Sequence, residues 1–241
     1  MLKKCLIVLL CLAVFAGAAF GVLIWNGMLD SVHPLKTPSE GQIRVACVGD
    51  SVTYGFGIPN RGKYCYPARL QELLGDSYCV NNFGYSGRTA SDSGDRPYRA
   101  EKLYQQALDF RPDIVVVMLG SNDSKPFNWN PAAVRVSYEA LLDDFAALES
   151  NPKIYVVIPT PVFPVNGEVK FSIDGNVIDT QLAPLMRDIA AARNLPAIDM
   201  HTVFEGRDDL FLDGCHLNRD GAELYAKTVF AAITAGESAT E

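Results

Sequence analysis

The chain has 241 residues, of which 49% are hydrophobic and 20% are charged, and its formal net charge is −7. This balance is typical of a globular protein and excludes a chain that is disordered throughout. The length suits one α/β domain. The negative charge argues against a nucleic-acid partner, because binding to phosphates requires a basic surface.

The first thirty residues differ from the rest of the chain. Lys3 and Lys4 precede an apolar run over residues 5–25, which would span roughly 30 Å as a helix. Such a run is long for a signal peptide, yet the small residues at 16–19 would suit a signal peptidase. Residues 1–30 therefore predict a signal peptide or a membrane anchor, and their length favours the anchor. In either case the domain is expected outside the cytoplasm, secreted or held at the membrane.

The rest of the chain divides into three parts. Residues 31–42 contain Pro34 and Pro38 and few apolar residues, which predicts a short stalk. Residues 43–235 carry the strand and helix patterns of a single domain, and residues 236–241 form a tail.

Four of the six cysteines, Cys47, Cys65, Cys79 and Cys215, lie beyond the apolar leader. Cys65 and Cys79 flank a predicted helix and would lie some 15 Å apart, which is too far for a disulfide. Cys65 could pair with Cys215 if both lie on the same rim of the sheet. Isolated buried thiols are the favoured interpretation, and no pair of cysteines has the spacing of metal ligands.

Strand and helix patterns alternate from residue 43 onwards. In chain order they predict a strand over 43–48, a helix over 66–75, a strand over 78–82, a helix over 97–110, a strand over 113–120, a helix over 132–150, a strand over 153–159, a helix over 177–194, a strand over 196–200 and a helix over 220–234. Residues 160–176 contain prolines and two glycine turns and predict an excursion or a small hairpin. Pro184 predicts a kink or a late start in its helix.

Apolar strands that alternate with amphipathic helices predict a five-stranded parallel sheet with helices on both faces. Functional residues gather at the carboxyl ends of the strands in such a sheet. Polar, glycine-containing breaks follow the apolar runs at "GDS" (49–51), "NNFGYSGRT" (81–89), "GSND" (120–123) and "DGCH" (213–216). We expect all four on one rim.

The residue types in these breaks suit acyl transfer. Ser51 could be the nucleophile and His216 its general base, while Asp213, three residues earlier, could hold one nitrogen of the imidazole ring. His33 lies in the predicted stalk, and His201 has no nearby acidic anchor and is expected to be structural. Taken alone, a helix cap is the favoured interpretation of Ser51.

An oxyanion site needs hydrogen-bond donors near the nucleophile. The backbone N–H groups of Ser51 and Gly87 and the side-chain amide of Asn122 are the candidates. Asp50 and Asp123, which adjoin two of these donors, are expected to bond loop amides and to be structural.

The four breaks, in this order, resemble the conserved blocks of the SGNH hydrolase superfamily, also called GDSL esterases. The resemblance covers about residues 43–230 and departs from the name-giving pattern at Val52, where that pattern has leucine. It implies a flavodoxin-like three-layer α/β/α sandwich and a triad of Ser51, Asp213 and His216. It also places the oxyanion glycine at Gly87 rather than Gly84, and it implies no metal or cofactor.

Within the superfamily, the stretches 66–75, 81–89 and 120–129 most resemble bacterial carbohydrate O-acetylesterases of the sialate and xylan types. The prediction is therefore an extracytoplasmic serine esterase that removes acetyl groups from a small or polymeric carbohydrate ester. Arg88, Phe127 and Trp129 are candidate substrate contacts. Alternatively, Arg88 pairs with a nearby acid and the two aromatic side chains cover the core.

Three other functions remain open at this point. A lysophospholipase or thioesterase would use the same site on longer acyl chains, beside the membrane if the leader is retained. An acyltransferase would pass the acyl group to a hydroxyl instead of water. A non-catalytic glycan-binding module would not need the serine, histidine and aspartate together. The sequence does not identify the glycan or the oligomeric state.

Overall fold

The computed structural model describes residues 16–22 and 35–238. Residues 16–22 are helical, and the other residues of the predicted leader lie outside the described part of the chain, as do residues 31–34 of the stalk and 239–241 of the tail. Among the described residues, no helix has both the length and the apolar character needed to cross a membrane.

Five parallel strands form one sheet in the order β2-β1-β3-β4-β5. The strands are β1 (Ile43–Gly49), β2 (Tyr78–Gly84), β3 (Ile114–Met118), β4 (Lys153–Ile158) and β5 (Ala197–Asp199). The prediction of a parallel sheet of five strands is confirmed. This strand order is flavodoxin-like, and the chain leaves β1 and β3 in opposite directions, so a crevice opens between their carboxyl ends.

Helices cover both faces of the sheet. They are α1 (Ser51–Tyr54), α2 (Arg61–Tyr64), α3 (Tyr66–Leu74), α4 (Lys102–Asp109), α5 (Pro131–Ala146), α6 (Gly175–Val177), a π-helical turn (Ile178–Leu182), α7 (Ala183–Ala192), α8 (Met200–Val203) and α9 (Arg219–Ser238). Because side chains alternate along a strand, Ala46 and Val48 pack into the core layer with α4, α5 and α7, whereas Val45 and Cys47 pack into the layer with α3 and α9.

The predicted helices differ from the observed ones mainly at their ends. The predicted helix over 97–110 is divided into a 3₁₀ turn at Tyr98–Ala100 and helix α4, with Glu101 in an extended conformation between them. Pro184 lies in the first turn of α7, directly after the π-helical turn, where its missing N–H costs least. The short helices α1, α2 and α8 were not predicted, because four residues carry too little periodicity.

The described end of the predicted stalk lies against the domain. The backbone N–H of Lys36 donates to Oδ1 of Asn81 at 2.8 Å, and Nδ2 of Asn81 donates back to the carbonyl of Lys36 at 2.9 Å. Leu35 packs against the core layer of α4, α5 and α7. Residues 35 and 36 therefore belong to the folded domain.

The four cysteines in the described part of the chain, Cys47, Cys65, Cys79 and Cys215, are all buried and free. This arrangement is the one that was favoured from the sequence.

Candidate active site

Ser51 stands where the first strand turns sharply into a helix. A Cβ atom at Gly49 would lie 2.6 Å from the carbonyl oxygen of Met118, so only glycine fits at the end of β1. Asp50 then caps α1, because its Oδ1 accepts the N–H of Val52 at 3.0 Å. Ser51 is the first residue of this helix and lines a cleft at the rim of the sheet.

Asp213 and His216 lie on one tight turn before α9. Gly214 adopts a left-handed φ of +84°, and Oδ1 of Asp213 accepts the N–H groups of Cys215 and His216 at 3.0 and 2.8 Å. The other oxygen, Oδ2, lies 2.8 Å from Nδ1 of His216. Burial alone would raise the pKa of Asp213, but its hydrogen bonds and the charge of His216 outweigh burial and hold the pKa below its ordinary value. The carboxylate therefore stays ionised beside the imidazole.

His216 joins this turn to Ser51. Its Nε2 lies 3.0 Å from Oγ of Ser51, on the side of the ring opposite Asp213. The rings of Phe56 and Phe171 pack against the imidazole, with centroids 4.6 and 4.9 Å away. A hydroxyl, an imidazole and a carboxylate in one hydrogen-bonded chain can transfer a proton away from an attacking serine.

The three candidate oxyanion donors also line the cleft. The N–H of Ser51 belongs to the first helical turn and needs no partner within the helix. Gly87 has a left-handed φ of +78°. Gly84, the alternative to Gly87, ends β2, and a Cβ there would lie 2.2 Å from the backbone nitrogen of Tyr54, so its role is close packing against α1.

Asn122 is buried, and neighbouring groups hold it from two directions. Its side-chain Nδ2 donates to Oδ2 of Asp50 at 3.3 Å, and its backbone carbonyl oxygen accepts from Nδ2 of Asn128 at 3.0 Å. Asn128 was not singled out from the sequence, because nothing in "KPFNW" marks one polar residue as buried. One hydrogen of the Asn122 amide remains for a ligand in the cleft.

Two buried carboxyl groups, those of Asp50 and Asp123, lie next to Ser51 and Asn122 in the chain. Burial raises the pKa of Asp50 to about 6, although the N–H of Val52, the charges of His216 and Lys125 and the Asn122 amide all lower it. Burial likewise raises the pKa of Asp123 to about 7, against the hydrogen bonds that its oxygens accept from the N–H groups of Ser91 and Ala90 at 2.8 and 2.7 Å. Asp123 thereby joins the loop after β2 to the loop after β3.

The three candidate substrate contacts lie away from the lining of the cleft. Arg88 is buried, pairs with Glu101 at 2.8 Å, and lies over the ring of Tyr85. Trp129 is half-buried, and its Nε1 donates to Oε1 of Gln181 at 3.0 Å. Phe127 is 67% exposed. Arg88 and Trp129 therefore make contacts within the protein, which agrees with the alternative interpretation of these two residues as structural.

The cleft has a volume of about 430 Å³, and both polar and apolar residues line it. Arg96 and Lys125 contribute to the lining, and the sequence did not mark either of them. Val162 and Ile173 also contribute, and they belong to the apolar residues of 160–176 that could line an acyl groove in the lysophospholipase or thioesterase alternative. Phe171 lies in the predicted excursion, which carried no motif. Within the described residues, no group of three or more histidine, cysteine, aspartate or glutamate side chains could hold a metal ion.

His201 lies outside the cleft lining. Its Nε2 lies 2.9 Å from Oδ1 of Asp179. Asp179 belongs to the π-helical turn before α7, so the acidic partner of His201 comes from a distant element that the sequence did not suggest.

Comparisons with known proteins identify the family of the chain. The sequence model of the GDSL-like lipase/acylhydrolase family matches residues 47–224. An acetylxylan esterase from Xylanibacter ruminicola is 39% identical over 218 residues, which cover 83% of this chain and 45% of that protein. The chain therefore spans about half the length of this curated relative.

Two solved structures share the fold. A carbohydrate acetylesterase family member from Sinorhizobium meliloti matches with a TM-score of 0.64 at 23% identity, covering 80% of this chain and 97% of that one. An aryl esterase from M. smegmatis matches with a TM-score of 0.64 at 21% identity, covering 80% of this chain and 99% of that one. At these identities the likeness concerns the fold, and it confirms the predicted α/β class.

The family model extends from Cys47, inside β1, into the closing helix α9, and so includes all four sequence blocks that suggested the family. The prediction made from those blocks is confirmed: the chain belongs to the GDSL-like lipase/acylhydrolase family of ester hydrolases.

Proposed function

We propose that the protein is a serine esterase that removes acetyl groups from carbohydrate outside the cytoplasm. The observation that carries the proposal is the position of His216, which lies 3.0 Å from the Ser51 hydroxyl and 2.8 Å from the Asp213 carboxylate. These distances match the geometry that nucleophile and base require.

In the proposed first step, Oγ of Ser51 attacks the ester carbonyl while Nε2 of His216 takes its proton. Asp213 holds the N–H on Nδ1, which leaves Nε2 free to accept, and its ionised carboxylate stabilises the imidazolium. His216 then gives the proton to the departing sugar oxygen. Water attacks the acyl-Ser51 ester in the second step, again losing its proton to His216, and acetate leaves as Ser51 is restored.

Negative charge develops on the carbonyl oxygen in both steps. We assign its stabilisation to the N–H groups of Ser51 and Gly87 and to the side-chain amide of Asn122, all of which line the cleft. The hydrogen bond from Asn122 to Asp50 orients the amide before substrate arrives. Because these donors are already positioned, little reorganisation accompanies the reaction.

The acetylated carbohydrate substrate is supported by the relatives. The curated relative at 39% identity is an acetylxylan esterase, and one structural neighbour is a carbohydrate acetylesterase family member. The extracytoplasmic location is supported by the leader, in which Lys3 and Lys4 precede the apolar run over residues 5–25.

A panel of esters tests the activity. Acetyl, butyryl and octanoyl p-nitrophenyl esters would be compared with acetylated xylan, pectin and sialic acid. We expect acetyl esters to be preferred and at least one acetylated carbohydrate to be deacetylated. A preference for octanoyl esters would replace the proposal with a lysophospholipase or thioesterase.

Serine variants test the nucleophile. Ser51→Ala should lose hydrolysis of p-nitrophenyl acetate by about 10⁴-fold or more and should no longer be labelled by a fluorophosphonate. Ser39→Ala changes an exposed serine that lies before β1, so it is the matched control and should behave as the unaltered protein. Failure of the well-folded protein to react with the fluorophosphonate would favour a glycan-binding module instead.

A further inference from the structure

Two positively charged side chains line the cleft without a carboxylate partner. Among the described residues, neither Arg96 nor Lys125 lies within ion-pair distance of an aspartate or glutamate. Arg88, eight residues before Arg96, is by contrast paired with Glu101 and buried. A cation that lines a cleft and is not neutralised by the protein is available to a negatively charged ligand.

Both cations lie beside the reacting groups. A Cβ atom placed on Gly87 would be 3.5 Å from Nη1 of Arg96, so the guanidinium borders the proposed oxyanion glycine. Lys125 follows the 3₁₀ turn Ser121–Ser124 that carries Asn122, and its charge acts on buried Asp50. A group bound by the two cations would therefore lie close to the ester that Ser51 attacks.

The two carboxylates in the lining form no ion pair with these cations, although the charge of Lys125 acts on Asp50. Asp50 is buried and accepts from Val52 and Asn122. Oδ1 of Asp95 accepts from Nδ2 of Asn128 at 2.7 Å. The chain as a whole carries a net charge of −7, so an anionic ligand would be repelled by most of the surface and would need local cations.

We propose that Arg96 and Lys125 form a carboxylate-binding subsite, so that the preferred substrates are acetylated sugars that carry an acid group, such as uronosyl residues. A carboxylate presents two oxygens that suit the fork of a guanidinium, and the ammonium of Lys125 supplies a second donor. The proposal rests on the proposed function, because it names the sugar whose ester is cleaved at the same site.

The test compares two substrates that differ in one group. O-acetylated methyl glucuronoside carries a carboxylate where O-acetylated methyl glucoside carries a hydroxymethyl group. We expect kcat/KM for the uronoside to exceed that for the glucoside by about 10- to 100-fold, which is the size of one or two charge-assisted hydrogen bonds. Added salt should reduce this preference.

Variants assign the preference to the two cations. The double variant Arg96→Gln/Lys125→Gln should lower the uronoside-to-glucoside ratio to near one, and a ratio does not depend on the fraction of protein that is folded. The control Lys102→Gln/Arg111→Gln changes the net charge equally at exposed positions outside the cleft lining and should leave the ratio unchanged.

The outcomes separate the two proposals. Hydrolysis of p-nitrophenyl acetate with equal kcat/KM for both glycosides would overturn the carboxylate subsite alone. An equal loss on both glycosides in the double variant would also overturn it, since the cations would then act on the ester group. Absence of any ester hydrolysis would overturn the proposed function and the subsite with it. Acetylated oligogalacturonate and acetylated xylan extend the comparison to polymers, where a preference for the neutral xylan would contradict the proposal.

Discussion

Two loops at neighbouring strand ends line the cleft, and they differ in how firmly they are held. The β3 loop, residues 119–130, buries Asn122, Asp123 and Ser124 and ties each of them with hydrogen bonds. The excursion, residues 160–176, presents Phe171 at 49% exposure. Phe171 and the exposed Ser172 both have left-handed φ values, +62° and +58°, that residues other than glycine rarely adopt.

Two hydrogen bonds from backbone N–H groups anchor the excursion near its ends. The N–H of Phe163 donates to the carbonyl of Gly214 at 2.8 Å, and the N–H of Asp174 donates to Oγ of Ser124 at 3.1 Å. The difference between the loops shows that Asn122, which is assigned to bond making, is fixed by buried contacts, whereas Phe171 and Ser172, which are available to the rest of a substrate, are exposed. This division is expected where chemistry needs accurate geometry and recognition needs accessible surface.

Of the effects expected in these two loops, the largest is in the β3 loop. Asn122→Ala removes one oxyanion donor and should lower kcat on p-nitrophenyl acetate by about 10²–10³-fold. Asn176→Ala makes the same substitution at an exposed position in the excursion and should have little effect, which makes it the matched control. A loss of less than about fivefold for Asn122→Ala would remove this amide from the oxyanion site.

A smaller effect is expected for the buried carboxyl group of Asp123 in the β3 loop. Burial raises the pKa of Asp123 to about 7, well above its ordinary value, so the folded protein binds this proton more tightly than the unfolded chain. The associated stability is present at low pH and is lost as the pH rises towards 7. The advantage of the unaltered protein over Asp123→Asn in free energy of unfolding should therefore shrink between about pH 4 and pH 7, by at most about 1.4 kcal/mol per pH unit.

Denaturant unfolding of both proteins across this pH range measures the difference. Taking the difference cancels the contribution of the shared carboxyl groups that do not interact with Asp123. A difference that stays constant or grows with pH would contradict the raised pKa of Asp123.

The smallest expected effect lies in the excursion. Phe171→Ala removes a half-exposed ring that contacts His216, and it should raise KM about two- to tenfold with little change in stability. Alanine has the same backbone restrictions as phenylalanine here, so the strain at this position is unchanged. Phe127→Ala removes a more exposed ring outside the cleft lining. A larger effect from Phe127→Ala than from Phe171→Ala would reverse the proposed assignment.

Short-range patterns made the fold and the family predictable. The apolar run over residues 113–120 indicated a buried strand, and β3 is fully buried between its two neighbours. The break at residues 49–51 indicated the end of a strand and offered Ser51 as a possible helix cap, whereas the structure shows Asp50 as the cap of α1 and Ser51 as its first residue. The ends of elements were less predictable, because Glu101 breaks its helix without a proline or glycine to mark the break.

The sequence by itself determined which chemical groups this protein holds and in what order along the chain they occur. Parallel strands bring their carboxyl ends to one rim, so Ser51, Gly87, Asn122 and His216 could be expected together from local signals. Only the tertiary structure decided the contacts that depend on distant residues. Asp123 accepts hydrogen bonds from the N–H groups of Ala90 and Ser91. Arg88 forms an ion pair with Glu101, whereas Arg96 lines the cleft. The physical reason is that charge pairing and burial depend on which side chains are close in space, and the spacing of residues along the chain does not indicate contacts between distant segments.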